Sequence, residues 1–211
     1  MNVIFLGPPG TGKGTQAERI SQYLGIVHIS TGEIFRQLAD EGNQLGVEAR
    51  DKYWGKSKLV PDDVTIKLVE ERFKKDDWKK GFILDGFPRT VPQAEALENM
   101  VNIDYVIDIE SSDAVIIARL TARRQCRSCK KIYGLDVRPL NENVCDACGG
   151  DLYQRSDDNE KIIMGRLKEY ELKTKPLIAF YQSRGLLKIV DGEQPIDNIK
   201  EDILKILGKK A

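Results

Sequence analysis

Nine residues near the N-terminus have the types and spacing to hold an anion: Gly7-Pro8-Pro9-Gly10-Thr11-Gly12-Lys13-Gly14-Thr15. They follow a short apolar run, Asn2–Leu6, and lead into a helical pattern over Gly14–Leu24 with Ala17, Ile20 and Leu24 on one face. A loop between strand and helix aims backbone N–H groups and the positive helix end at one point, which suits phosphate oxygens. The glycines let the chain wrap closely round an anion, and Lys13 has the reach to meet the β- and γ-phosphates of a nucleotide. One position departs from the common form. Gly14 stands where Ser or Thr normally follows the lysine to ligate Mg²⁺, and Thr15 comes one residue later. A largely water-coordinated Mg²⁺ is therefore expected.

A second set of reactive side chains lies in mid-sequence. Cys126, Cys129, Cys145 and Cys148 form C-x₂-C-x₁₅-C-x₂-C, the spacing of a four-thiolate zinc site. Each C-x-x-C makes a knuckle presenting two sulfurs, and Gly149-Gly150 gives the second knuckle backbone freedom. Asp146, between knuckle cysteines, is not counted as a ligand. Four thiolates leave a metal no open position, so the zinc is expected to be structural. Two disulfides are the alternative, disfavoured in a reducing compartment.

These groups need a scaffold, and the chain supplies an alternation of strands and helices. Apolar strands are predicted at Asn2–Leu6, Ile26–Ile29, Gly81–Asp85, Tyr105–Ile109 and Leu187–Asp191. Helices are predicted at Ile34–Glu41, Leu45–Trp54, Asp62–Lys74, Pro92–Asn99, Asp113–Arg123, Asn159–Thr174 and Pro195–Leu207, with a helical stretch running on to Arg184. Ser30 and Glu33 have the S-x-x-E spacing of a capping box. The pattern predicts an α/β fold with a doubly wound, parallel, five-stranded sheet. It breaks only at Gln125–Gln154, the cysteine segment, which is too small for a core of its own without a metal staple. His28, the only histidine, falls on a short apolar strand and is expected to be a core or strand-end residue.

Composition narrows the classes of function. Lys plus Arg and Asp plus Glu number 33 each in 211 residues, without the basic excess of a dedicated nucleic-acid binder. No apolar run reaches the ~18–20 residues that span a bilayer, and the N-terminus lacks a basic region and cleavage site. A cytoplasmic protein with no membrane or nucleic-acid partner is expected.

The loop variant G-x-P-G-x-G-K-G-T resembles the adenylate kinase family. Three further segments carry the resemblance: Asp85-Gly86-Phe87-Pro88-Arg89-Thr90 with Gln93 just beyond; Ser30-Thr31-Gly32 with Arg36; and arginines flanking the cysteine segment, Arg119, Arg123 and Arg124 before it, Arg155-Ser156-Asp157-Asp158 and Arg166 after it. The similarity runs from Met1 to Leu207. It implies a core of residues 1–29, 61–122 and 160–211, an AMP-binding insertion at 30–60 and a zinc lid at 123–159. It further implies reversible transfer of a phosphoryl group from Mg-ATP to AMP, giving two ADP, by a monomer.

Residue roles follow from that resemblance. Gly10, Thr11, Gly12, Lys13, Gly14 and Thr15 would cradle the ATP phosphates, with Arg119 and Arg123 nearby and Ile132, Tyr133 and Gln194 near the base or ribose. Tyr133 could equally be a lid-core aromatic. Thr31, Gly32, Lys58, Leu59, Val60, Gly86, Phe87, Pro88 and Gln93 would line the AMP site, with Arg36 and Arg89 on its phosphate. Lys13, Arg123, Arg155 and Arg166 would meet the transferred and flanking phosphates, as guanidiniums bind two oxygens in a fixed plane. Asp85 would organise Mg²⁺ and its waters, or cap a helix. Asp157 and Asp158 would orient lid arginines while capping the helix at Asn159. The remaining alternatives are a UMP or CMP kinase on the same fold, a regulatory nucleotide switch, for which no N-K-x-D motif is present, and a zinc-ribbon nucleic-acid binder.

Overall fold

The computed structural model describes residues 1–209. In chain order the elements are β1 (Asn2–Leu6), α1 (Lys13–Leu24), β2 (Val27–Ser30), α2 (Thr31–Asp40), α3 (Gln44–Glu48), α4 (Asp62–Phe73), β3 (Phe82–Asp85), α5 (Val91–Glu98), β4 (Tyr105–Glu110), α6 (Asp113–Ala122), β5 (Arg124–Cys126), β6 (Ile132–Tyr133), β7 (Leu152–Tyr153), α7 (Glu160–Glu169), α8 (Pro176–Gln182), β8 (Leu187–Asp191) and α9 (Ile196–Ile206). Among the described residues no helix is long and apolar enough to cross a membrane.

The five predicted strands form one parallel sheet in the order β2-β3-β1-β4-β8. Its inner strands are apolar on both faces because helices cover both. Alternate residues serve the two layers. Val3, Phe5, Ile83, Ile107 and Ile109 pack on Ala17 and Ile20 of α1 and Ile199 and Ile203 of α9. Ile4, Leu6, Leu84 and Val106 pack on Val69 of α4, Leu97 of α5, and Leu177 and Tyr181 of α8. The chain leaves β1 in one direction for β2 and reaches β4 on its other side, so the crevice of this switch point opens beside the loop after β1.

Two smaller pieces overhang that crevice. Between β2 and β3, α2 and α3 cross closely at Gly46, where a Cβ would stand 2.2 Å from the Ala39 amide nitrogen. The predicted helix over 45–54 is not continuous. A π-helical turn (Ala49–Tyr53) and a 3₁₀ turn (Trp54–Lys56) follow α3, ended by Ser57 at φ 57°. These turns bring Trp54 against Phe35 and Arg36. A π-helical turn likewise closes α7 at Tyr170–Thr174.

The second piece is the cysteine segment, a three-stranded antiparallel sheet of order β6-β5-β7. Its buried cluster is only Cys126, Tyr133, Cys145 and Leu152. It touches the other overhang through Lys130 and Asp40 at 3.3 Å and Arg155 and Glu33 at 2.7 Å. The Ser57 hydroxyl also donates to the Ile162 carbonyl of α7 at 3.0 Å.

Candidate active site

The loop after β1 stands at the carboxyl end of the sheet because Gly7 (φ 130°) runs against β4, where a Cβ would lie 2.3 Å from the Ile109 carbonyl oxygen. The helix cap that follows, Gly12, has a left-handed backbone and offers no side chain, so the first N–H groups of α1 stay available to an anion. Lys13 is folded back onto the loop, donating to the carbonyls of Gly7 at 2.7 Å and Pro8 at 2.5 Å. Burial pulls its ammonium down to about 8, and the nearby Asp85 offsets only part of that.

Loop, overhangs and sheet end enclose a cleft of about 440 Å³. Gly10, Thr11, Gly12, Lys13, Gly14, Thr15, Arg119, Arg123, Ile132, Tyr133 and Gln194 line it, as do Gly32, Arg36, Lys58, Leu59, Gly86, Pro88, Arg89, Arg155, Arg166, Asp85 and Asp157. Thr31, Val60 and Gln93 line a smaller cavity of about 30 Å³ that shares Lys58, Leu59, Gly86 and Arg89 with the cleft. Two expected residues reach neither cavity. Phe87 is fully buried in the core beneath β3, since the chain turns there with its ring inward. Asp158 is buried behind the arginines. Arg124 donates to the Thr121 and Arg123 carbonyls at the end of α6 and is not among the cleft residues. Tyr133 lies along the cleft, but its ring is 1% exposed in the cysteine-segment core, which favours the lid-core alternative for its side chain.

The arginines converge from separate elements, each restrained by its own partner. Asp158 grips Arg123 with two bonds, at 2.8 and 2.6 Å. Arg166 donates to Asp157 at 3.0 Å, and Glu33 takes both Arg36 at 2.9 Å and Arg155 at 2.7 Å. Arg89 is held through Nε by the Gly86 carbonyl at 2.8 Å and has no carboxylate partner among the described residues. Burial lowers Arg155 and Arg166 to about 10, the mark of cations crowded together out of water. Burial works to raise Asp157, but Arg166, Arg36, Arg123 and Arg155 outweigh it and hold the carboxyl below its ordinary value.

Asp85 ends β3 beside the loop. Burial would raise it, yet the His28 imidazole and the Lys13 ammonium prevail and keep it below its usual range. His28, expected as a core or strand-end residue, is half-buried on β2 and lines the cleft with Nε2 3.8 Å from the Asp85 carboxylate. A Cβ at Gly14 would come within 3.3 Å of that carboxylate. The glycine thus keeps open the space between loop and acid that a hydrated Mg²⁺ needs, so these residues fit the ion.

The four cysteines are free thiols whose sulfurs all lie within 4.8 Å of one another. Cys126 and Cys148, and Cys129 and Cys145, are 3.5 Å apart. Four ligands at the Zn–S distance stand about 3.8 Å apart along each tetrahedral edge, so the set fits one metal ion. The Tyr133 hydroxyl, 3.4 Å from Cys145, draws that thiol down to about 6. Asp146 accepts from the Leu140 amide and is not in the sulfur cluster.

Three functional neighbours escaped the sequence. Glu33 was expected to complete a capping box. Ser30 does accept from the Glu33 amide, at 3.5 Å, but the Glu33 carboxylate serves two arginines instead. Gln125 carries the Nε of Arg155. Asp108, wholly buried within β4, has both carboxylate oxygens without a hydrogen-bond partner.

Comparison with known proteins agrees with this geometry. The family model described as adenylate kinase matches residues 5–186. The chain is 49% identical to an adenylate kinase of Geobacillus sp. strain WCH70 over 214 residues, 99% of each chain. It is 47% identical to one from Archaeoglobus fulgidus over 215 residues, again 99% of each, and 48% identical to one from Clostridium perfringens at the same coverage. Likeness of this extent, from the phosphate-facing loop through the cysteine segment to α9, means that the chain belongs to the adenylate kinase family.

Proposed function

We propose that the chain transfers the γ-phosphoryl group of Mg-ATP to AMP, reversibly, and does so with residues of one crowded cationic cleft. The observation that carries the reading is the convergence of Lys13, Arg36, Arg89, Arg123, Arg155 and Arg166 at the carboxyl end of the sheet. Donor and acceptor are both phosphates, so the protein's task is to gather negative charge and align it, with little covalent chemistry of its own. No general base is needed, because the attacking phosphate oxygen is already ionised near neutral pH.

The loop N–H groups and Lys13 take the ATP phosphates, with Lys13 exchanging two backbone carbonyls for phosphate oxygens. Arg36 and Arg89 hold the AMP phosphate, and Arg123, Arg155 and Arg166 flank the group in flight. Mg²⁺, carried with ATP as part of the substrate, would supply charge neutralisation at its phosphates. Asp85 orients its water shell. Thr31 and Gln93 recognise adenine with the capacity left on each: Thr31 donates to the Gly86 carbonyl and Gln93 bridges the Arg89 amide and Asp62. The two overhangs, residues 30–60 and 123–159, exclude water so that ATP is not hydrolysed. Cys126, Cys129, Cys145 and Cys148 would hold zinc as a structural ion, keeping the cysteine segment folded.

The test is phosphoryl transfer from Mg-ATP to AMP, UMP, CMP and GMP, followed by phosphorus NMR. ADP formed with AMP alone is expected. Transfer to UMP or CMP in preference would overturn the roles of Thr31 and Gln93 and leave the phosphate machinery standing.

A further inference from the structure

Gln125 is the last residue before the first cysteine and lies on β5, the central strand of the small sheet, paired with Ile132 and Tyr153. It is 1% exposed, in a place where an apolar side chain would pack without the cost of burying an amide. The amide is tolerated because both of its ends are bonded. Its Oε1 accepts from Arg155 Nε at 2.9 Å and from the Tyr153 hydroxyl at 3.1 Å, and its Nε2 donates to the Lys130 carbonyl at 3.0 Å.

That carbonyl belongs to the exit of the first cysteine knuckle. The Lys130 amide donates to the Cys126 carbonyl at 3.2 Å, and Lys130 has a left-handed backbone, φ 64°. Only the donor end of the Gln125 amide can face a carbonyl, so its acceptor end must face Arg155 and Tyr153. Arg155 is then held at Nε by Gln125 and at Nη2 by Glu33, with Nη1 left for the cleft. A guanidinium binds two phosphate oxygens only when its plane is set, and a neutral acceptor sets it without cancelling its charge.

We propose that Gln125 is a positioning residue for phosphoryl transfer, orienting the Arg155 guanidinium and tying it to the first cysteine knuckle. The inference rests on the reading that Arg155 meets the transferred phosphate. It extends that reading to a side chain that touches no substrate.

The experiment compares Gln125→Leu, Gln125→Glu, Arg155→Lys and the double variant Q125L/R155K, as full-length metal-replete proteins. It measures kcat, both KM values and metal retention against a chromophoric chelator. With Gln125→Leu, kcat falls about tenfold to a hundredfold while KM stays within about twofold. In the Arg155→Lys background, which lacks the Nε donor, Gln125→Leu costs nothing further. Gln125→Glu keeps an acceptor for Arg155 but sets an oxygen against the Lys130 carbonyl. It retains more kcat than the leucine variant and surrenders metal more readily. If Arg155→Lys leaves kcat unchanged, the reading of Arg155 fails and the proposal falls with it. If Arg155→Lys lowers kcat but Gln125→Leu does not, or if Gln125→Leu costs as much in both backgrounds, Gln125 only packs the small sheet and the proposal alone is overturned.

Discussion

The parallel sheet and the cysteine segment are held together by different physics. Each face of the sheet buries a dozen apolar residues. The cysteine segment buries four, two of them cysteines. Area removed from water can stabilise the first. It cannot stabilise the second, which has side-chain hydrogen bonds through Tyr133 and Gln125 and four thiols placed to fit one metal ion. The difference teaches that a stabiliser confined within the segment would hold it without apolar burial against the core, which under the proposed function would leave the overhang free to open and close.

The largest expected effect comes from removing the metal proposed for the cysteines. Structural zinc contributes about 10 kcal/mol or more in small domains. Chelation should make amides of residues 124–153 exchange freely while those of β1 and β4 stay protected. Uniform loss of protection by hydrogen-exchange mass spectrometry would erase the distinction between the two regions. Next in size is Ile83→Ala, a fully buried side chain between the helical layers. It should cost about 3 kcal/mol and lower the main calorimetric transition, leaving metal retention untouched.

Asp108→Asn tests a buried carboxylate with neither oxygen hydrogen-bonded. Desolvation raises the Asp108 carboxyl to about 6, above its ordinary 3.8. The folded state therefore binds the proton more tightly than the unfolded state. Stability attributable to this group is fully present below about pH 4 and is lost as pH rises to about 6. The asparagine variant should be more stable at pH 7 by about 3 kcal/mol, with the difference from the parent vanishing near pH 4. Chemical denaturation across that range measures it. The smallest effect is expected at Leu140, 88% exposed on the cysteine segment, where serine should change stability by less than about 0.5 kcal/mol.

What the sequence disclosed divides along similar lines. The five strands were legible because burial on both faces leaves an apolar run bounded by turn residues. The phosphate loop and the knuckles were legible because each compresses its chemistry into a few consecutive positions. The Ser30–Glu33 spacing gave the helix cap correctly, but not the Glu33 carboxylate, which is taken up by Arg155, 122 residues away. Gln125 carries no local sign at all. Its role exists only once β5 pairs with its two neighbours. The helix predicted over 45–54 was interrupted by turns that set Trp54 against Arg36, and helical periodicity does not register such a change of pitch.

The pairing of cleft arginines with Glu33, Asp157 and Asp158 makes the site behave like an ion-exchange bed loaded with its own counterions. A phosphate arriving at Arg36, Arg123, Arg155 or Arg166 would have to displace a carboxylate that already has good geometry, whereas Arg89 and Lys13 are held by backbone carbonyls. A small monovalent anion offers too little to complete that swap, whereas a polyphosphate can outbid several carboxylates at once. The released acids remain tethered beside the cations and reclaim them when product departs. If the proposed reaction holds, this exchange would keep occupancy by cellular salt low and reset the site after each turnover.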